Sequence, residues 1–281
     1  MSMNRNAVIS MKSARLLGML LVLAGSVISL IPLYWTILNS FQPNEIAMKV
    51  PPELIPGSFI FDNYTYLFTK TGAFRWFINS ACISAVSAAL VVYFSAMAGY
   101  PLAKKKFPGV NVLFWTVLAF MTVPREVLLL PLFLMMKELH LFNTYLGILL
   151  PTIAWPFAVF LMRQFISTVP SEIFDAAAID GCSPLAMFHK ILLPIIKPGL
   201  GALAVFAFVN SWNDYIWHLI IISSDNMKTL PLGVASMSQE LTANYGYLMA
   251  GASFGAIPLI TVFLLFQRFF TSGITLGAVK G

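Results

Sequence analysis

Six long apolar stretches with almost no charge limit what this chain of 281 residues can fold into. A helix that crosses the hydrocarbon core of a bilayer needs about 20 apolar residues, and each stretch can supply them. Five stretches contain no Lys, Arg, Asp or Glu, and the fifth along the chain contains one acid, Asp214; they are residues 16–44, 76–103, 107–124, 141–162, 200–222 and 241–267. The pattern predicts an all-α integral membrane protein with six transmembrane helices.

The distribution of Lys and Arg predicts how these spans are oriented. Only 10% of the residues are charged, whereas soluble domains carry about 25%. With both termini in the cytoplasm, the inner segments hold eleven Lys and Arg against three acids, and the outer segments hold six against seven. This orientation satisfies the positive-inside rule. The net charge of +6 is therefore explained by topology and does not indicate nucleic-acid binding.

The order of spans and connections predicts the organisation of the chain. The first apolar run is too long for a signal peptide and has no small-residue cleavage site, so we expect it to remain as the first span. The apolar segment 127–136 is too short to cross alone and is interfacial, re-entrant or part of the third span. The predicted segments are a cytoplasmic N-terminus 1–15, a first helix 16–38, an outer loop 39–74 with a short interfacial helix, a five-helix core 75–270 with a cytoplasmic loop at 166–198, and a cytoplasmic tail 271–281.

A helical hairpin is predicted inside that cytoplasmic loop. Ser171 follows a proline and is expected to be the N-cap of a first helix. Gly181 stands where a left-handed glycine ends such a helix. Ser183 and Pro184 then fit the N-cap and first position of a second helix. A charged hairpin on the inner face of a membrane protein indicates contact with a soluble partner.

The residues of this hairpin resemble a known family. Asp175-Ala176-Ala177, Gly181 and Ile191-Leu192-Leu193-Pro194 have the spacing of the EAA loop in permease subunits of bacterial ATP-binding-cassette (ABC) importers, with Asp175 where Glu is usual. Trp212-Asn213-Asp214 and the C-terminal residues 267–281 resemble the carbohydrate-uptake branch, in particular the smaller permease of maltose-type transporters. The resemblance implies a type I ABC-importer permease fold.

The resemblance also implies how the hairpin works. In the family it docks in a groove of a separate ATPase and transmits the closure of that ATPase to the transmembrane helices. Ile173 and Phe174 are expected to be apolar anchors, and Asp175 is expected to accept a charge-assisted hydrogen bond. The residues assigned to coupling are Glu172, Ile173, Phe174, Asp175, Ala176, Ala177, Asp180, Gly181, Ile191, Leu193 and Pro194. A second ATPase contact is assigned to Gly273, Gly277, Lys280 and Gly281.

The implied assembly lies in the bacterial cytoplasmic (inner) membrane, in contact with lipid. It contains this chain, a second homologous permease that completes a heterodimer, two ATPase subunits and an extracytoplasmic solute-binding protein, which the outer segment 223–245 is expected to face. The sequence has no G-x-x-x-x-G-K-[ST] phosphate loop and no cluster of metal ligands. We therefore expect a non-catalytic chain that binds no cofactor and no nucleic acid, with ATP and Mg²⁺ held by the ATPase.

The fifth span carries polar side chains at helical spacing. Asn210, Asp214 and His218 are four residues apart and would share one face of a continuous helix. An acid within a span costs about 2.5–3.5 kcal/mol on insertion scales and usually faces a cavity or the bundle interior. Either the stripe lines the translocation path, with aromatic rings that stack on sugars, or it clamps neighbouring helices. The candidate path residues are Asn210, Trp212, Asn213, Asp214, Trp217 and His218.

These observations predict a permease that translocates a sugar or oligosaccharide by ATP-driven alternating access. The spans contain no basic cluster, which favours a neutral sugar. One alternative is a permease for glycerol phosphate or another polyol. Another is an ion-coupled secondary transporter, in which Asp214 and His218 would relay protons.

Overall fold

The computed structural model describes residues 5–47, 49, 57–240 and 244–278, and within these residues the regular structure is helical. The α-helices are α1 (Arg5–Ser40), α2 (Asn44–Ala47), α3 (Asp62–Lys70), α4 (Ala73–Lys104), α5 (Val110–Met121), α6 (Leu129–Glu138), α7 (Tyr145–Ile153), α8 (Pro156–Ser167), α9 (Ser171–Ile179), α10 (Pro184–Ala186), α11 (Leu193–Ile195), α12 (Lys197–Trp212), α13 (Tyr215–Ile221), α14 (Leu230–Glu240) and α15 (Tyr245–Ala278). Short 3₁₀-helices occupy Arg125–Leu128 and Asp225–Met227, and a π-helix occupies Met187–Leu192.

The helices provide up to six membrane spans among the described residues. Three are long and apolar enough to cross alone, namely Arg15–Ser40, Ala73–Lys104 and Tyr245–Gln267. Three further spans arise when each sharply bent pair is counted as one. These pairs are Val110–Met121 with Arg125–Glu138, Tyr145–Ile153 with Pro156–Ser167, and Pro184–Ile195 with Lys197–Trp212, and they bend by 96°, 47° and 82°. The all-α membrane fold predicted from the sequence is confirmed.

Two of the three bends occur at a proline. Trp155 precedes Pro156 and is extended, with φ −93° and ψ 106°, because the proline ring disfavours helical backbone in the residue before it. Pro124 is likewise non-helical and precedes the 3₁₀-helix. Segment 127–136 is thereby separated from α5 and does not continue the third span in a straight line.

Two boundaries differ from the prediction. α15 runs to Ala278, so the helix continues into the predicted tail 271–281. The small residues after Thr271 remain compatible with a helix. The fifth span, predicted as one helix, is divided into α12 and α13.

The chain divides into two compact units, residues 1–71 with 237–254 and residues 72–236 with 255–281. In the first unit, the Asn63 amide donates to the backbone oxygens of Ser40 and Gln42 at 3.0 and 2.9 Å. The rings of Tyr66 and Tyr247 stack with centroids 4.1 Å apart. The predicted short outer helix is thus α3, and it holds the end of α1 by buried hydrogen bonds.

In the second unit, α4 is the central helix and packs closely on α8 and α12. Gly99 allows the α4–α8 approach, because a Cβ atom there would lie 2.9 Å from the Arg163 backbone nitrogen. Gly199 of α12 likewise lies against the ring of Phe165, which a Cβ would approach to 2.6 Å. Small residues at such crossings are how membrane helices achieve close packing.

We expect Gly99→Val to destabilise the protein. The new side chain would force α4 away from the α8 backbone, and overpacking of this kind costs about 1–3 kcal/mol. The midpoint of thermal unfolding in detergent, followed by size-exclusion chromatography, should fall by roughly 5 °C. Gly18→Val is the matched control, since nothing lies within 4 Å of a Cβ at Gly18. Equal midpoints for the two variants would contradict this packing.

Candidate functional site

The helical hairpin has the turn that the sequence predicts. Gly181 has φ +77°, and the amide of Cys182 donates to the Ala177 oxygen at 2.9 Å. The Ser183 hydroxyl accepts a hydrogen bond from the Ala186 amide at 3.3 Å, with Pro184 at the first helical position. The left-handed glycine and the second N-cap are therefore confirmed.

One local prediction about the hairpin is wrong. Pro170, not Ser171, occupies the N-cap position of α9, and Ser171 is the first helical residue. In the second arm of the hairpin, a π-helix, Met187–Leu192, precedes Pro194. A proline ring clashes with the carbonyl group four residues earlier in an α-helix, and the wider π turn relieves that clash.

One face of α9 packs on the chain's own core. Phe174 is 8% exposed, and its ring centroid lies 5.5 Å from that of Tyr100, while the Lys104 ammonium lies 5.9 Å above it. Ala177 is buried on the same side. The assignment of Phe174 and Ala177 to partner contact needs correction, because their side chains are enclosed by the chain itself.

The opposite face of the hairpin is exposed. It presents Ile179, which is 87% exposed, and Leu185, which is 64% exposed; sequence analysis missed both. The signal was a second apolar stripe on α9, Ile173, Ala176 and Ile179, at three-residue spacing. Of the remaining predicted coupling residues, the structure leaves Glu172, Ile173, Asp175, Ala176, Asp180, Gly181 and Pro194 exposed and Ile191 and Leu193 half-buried.

The hairpin is attached to the C-terminal half of α4. The Lys104 ammonium donates to the backbone oxygens of Val169 and, at 3.4 Å, Ser167. The Tyr93 hydroxyl and the His189 ring share a hydrogen bond of 3.2 Å, and Tyr93 also contacts Phe188 edge to face. A displacement of the hairpin would therefore be transmitted to α4.

At the other end of α12, the fifth span is interrupted at Asp214. One carboxylate oxygen of Asp214 accepts the Trp217 amide at 3.2 Å and caps α13. The other accepts a hydrogen bond from Arg125 Nη2 at 2.6 Å. The Asp214 side chain is 7% exposed and that of Arg125 is 43% exposed. The buried acid thus has a charged partner, which offsets the cost of placing it within the membrane.

Three helix breaks meet at one cleft with a volume of about 830 Å³. Arg125 follows the bend after α5, Trp155 separates α7 from α8, and Asn213 and Asp214 separate α12 from α13. Non-helical backbone at membrane depth is tolerated where it lines a cavity. The lining residues are Arg125, Glu126, Leu129, Trp155, Phe157, Phe206, Val209, Asn210, Asn213, Asp214, Tyr215, Ile216 and Trp217.

The cleft contains four of the six predicted path residues, namely Asn210, Asn213, Asp214 and Trp217. Trp212 is buried and stacks on Phe208 at 5.7 Å. His218 is buried, and its Nδ1 lies 3.2 Å from the Thr229 hydroxyl.

The predicted common face of Asn210, Asp214 and His218 is wrong, because the helix ends between Asn210 and Asp214. Asp214 combines features of both sequence interpretations. It clamps Arg125, and it also borders the cleft.

Segment 223–245, which is predicted to lie on the outer side, is partly folded into the protein. The Asn143 side-chain oxygen accepts hydrogen bonds from the Ser224 amide and hydroxyl at 3.2 and 2.9 Å. Leu230 and Leu232 of α14 are buried. Residues 241–243 lie outside the described residues, as do Lys280 and Gly281 of the predicted C-terminal contact, whereas Gly273 and Gly277 lie within α15.

We expect Arg125→Ala to destabilise the part of the second unit around the cleft, because the buried Asp214 carboxylate would lose its cation. Breaking such a pair costs about 1–3 kcal/mol where one partner is partly exposed. The double variant Arg125→Ala/Asp214→Asn should recover most of the loss in thermal midpoint, since Asn retains the helix cap. A double variant less stable than Arg125→Ala would contradict the ion-pair account.

Broken membrane helices around a cleft, with a capped hairpin at the other end of α12, define a helical permease. Residues 92–276 match the family described as "Binding-protein-dependent transport system inner membrane component", and the chain belongs to this family.

Two relatives and one solved structure extend the match to most of the chain. The arabinooligosaccharide transport system permease protein AraQ of Halalkalibacterium halodurans is 41% identical over 276 residues, which cover 96% of this chain and 99% of the relative. AraQ of Bacillus subtilis is 40% identical and covers 91% and 92%. The crystal structure of a bacterial ABC transporter for alginate import has the same fold, with a TM-score of 0.76 at 20% identity and coverage of 96% and 99%.

Proposed function

We propose that this chain is one of two permease subunits in an ATP-driven importer that translocates a neutral oligosaccharide. The second permease is homologous, two ATPase subunits bind ATP and Mg²⁺, and an extracytoplasmic binding protein delivers the sugar. Both termini lie in the cytoplasm, as the excess of Lys and Arg on that side favours. This chain lines part of the translocation path and carries the hairpin that contacts the ATPase, and it has no catalytic role.

The hairpin is the observation that carries this proposal. Its exposed face contains Ile179 and Leu185. An exposed apolar patch on an extramembranous segment is typical of a protein interface. Its opposite, buried face packs on α4 through Phe174 and Lys104. A segment with one exposed apolar face and one face bound to the transmembrane core can transmit a movement of the ATPase to the transmembrane helices.

The cleft and the relatives together support a neutral oligosaccharide. Two relatives at about 40% identity are named for arabinooligosaccharides, whose sugar units are uncharged. Among the described residues that line the cleft, Arg125 is the cation, and it is already paired with Asp214. A phosphorylated substrate such as glycerol phosphate would require a free cation, so this alternative is less well supported.

The ion-coupled alternative is also less well supported. A proton relay needs Asp214 and His218 to face the same aqueous path. His218 is instead buried beside Thr229 and does not line the cleft.

Uptake by the reconstituted assembly tests the proposal. The tagged chain, purified with its co-purifying subunits, is placed in proteoliposomes with its binding protein and radiolabelled arabinotriose. We expect uptake that requires internal ATP and continues in the presence of a protonophore. Uptake that is independent of ATP and abolished by the protonophore would contradict the proposed function.

A further inference from the structure

The cleft exposes polar groups that the protein itself does not use. The side-chain amides of Asn210 and Asn213 are exposed and line the cleft, and neither has a hydrogen-bond partner within the described residues. A guanidinium group has five N–H donors, and Arg125 directs one of them to Asp214. Planar groups of this kind can bind neighbouring hydroxyl groups with two hydrogen bonds at once.

Aromatic rings accompany these polar groups. Trp155, Phe157, Tyr215 and Trp217 line the same cleft, and Trp155 is half-buried at the break between α7 and α8. A sugar ring has an apolar face of C–H groups and a rim of hydroxyls, so it needs a flat apolar partner together with donors and acceptors. The cleft volume of about 830 Å³ lies within the range of about 300–1,000 Å³ that is usual for small-molecule sites.

The charges of the cleft discriminate between kinds of sugar. The lining contains one cation, Arg125, and two acids, Glu126 and Asp214. Since Arg125 is neutralised by Asp214 at 2.6 Å, the remaining charge is that of Glu126. A carboxylate or phosphate in this partly enclosed, apolar space would meet net negative charge and lose its hydration. A neutral polyhydroxyl compound would not meet this repulsion.

We propose that this cleft is a saccharide subsite of this chain that selects uncharged oligosaccharides. Asn210, Asn213 and the spare donors of Arg125 bind hydroxyls, and Trp155 supplies the flat apolar surface. Asp214 neutralises Arg125, and Glu126 excludes acidic sugars. The assignment rests on the proposed function, because it places the transported sugar in contact with this subunit. It adds particular contacts and a charge filter that act after the binding protein has released the sugar.

Direct binding to the assembled importer tests the subsite. The importer in nanodiscs, without binding protein or ATP, is titrated with radiolabelled arabinotriose, maltotriose and the acidic trisaccharide trigalacturonate. We expect saturable binding of at least one neutral sugar and at least tenfold weaker binding of trigalacturonate. In Asn210→Ala/Asn213→Ala the affinity for the neutral sugar should fall about tenfold, as expected for the loss of two hydrogen bonds. Asn226→Ala is the matched control, since Asn226 is exposed outside the cleft, and it should bind as wild type does.

A charge variant tests selectivity separately. Glu126→Gln/Asp214→Asn leaves Arg125 as an unpaired cation, and its affinity for trigalacturonate should rise at least tenfold, with the ATPase still associated. The subsite is overturned if wild type binds neither neutral sugar, if it binds neutral and acidic sugars equally, or if both cleft variants bind as wild type does. ATP-dependent uptake by wild type would still support the proposed function in that case, so the two failures are distinguishable.

Discussion

Ile179→Asp should abolish association of the ATPase while the chain itself still inserts and folds. Ile179 is 87% exposed, so the substitution removes nothing from the core of this chain. It places a charge in the middle of the exposed apolar face of the hairpin, where burial against a partner would leave that charge without its hydration. We expect at least a hundredfold lower recovery of the ATPase with the tagged chain.

Leu139→Asp is the matched control for this experiment. Leu139 is also an exposed apolar residue, at the end of α6 in a segment that the charge distribution assigns to the outer face. The control should retain wild-type ATPase association. Loss of the ATPase in both variants, or in neither, would contradict docking through the hairpin.

Gly181→Val should uncouple ATP hydrolysis from transport. Gly181 has φ +77°, a conformation that a β-branched residue adopts only with strain. The substitution would reorient α9 relative to the π-helix, and the two arms of the hairpin would no longer move as one body. Uptake of the sugar should fall at least tenfold, with the ATPase activity stimulated by the binding protein lost or made constitutive.

Gly109→Val is the matched control, which distinguishes a loss of coupling from a general effect of backbone strain. Gly109 has φ +87°, and as at Gly181 nothing lies within 4 Å of a Cβ built there, but it is located between α4 and α5. We expect Gly109→Val to lower the stability of the protein as much as Gly181→Val does, but to leave sugar uptake nearly normal. If Gly109→Val lost uptake to the same degree as Gly181→Val, the effect would be one of folding and not of coupling.

The hairpin and the cleft are joined by one continuous path through the second unit. The π-helix leads through α11 into α12, whose 16 residues span about 24 Å. α12 ends at Trp212, and the next residue, Asn213, lines the cleft. α4 runs beside α12 and holds the hairpin through Tyr93, Tyr100 and Lys104. A movement of the hairpin therefore has a direct mechanical route to the residues that we propose bind the sugar.

The features that the sequence predicted well have local causes. The turn at Gly181 follows from the need for a residue that tolerates positive φ, and the start of the second arm follows from the cap at Ser183. The overall membrane fold follows from six long apolar stretches with almost no charge, because each can supply the roughly 20 apolar residues of a membrane span.

The features that it predicted poorly depend on other parts of the chain. α9 has two apolar stripes, one containing Phe174 and the other containing Ile179, and only the position of α4 determines which one is buried. The break at Asp214 is not evident from the sequence, because a carboxylate within an apolar stretch is also compatible with a continuous helix. The same side chain is a good N-cap, and its partner Arg125 is distant in sequence.

The central claim is that the exposed face of this hairpin binds an ATPase that drives transport. The most direct measurement is photo-crosslinking from position 179, with p-benzoylphenylalanine in place of Ile179 and, as control, in place of Leu139. The account predicts a covalent adduct of this chain with the ATPase from position 179 only, and a yield that changes when ATP is added. An adduct from neither position, or an equal yield from both, would contradict it.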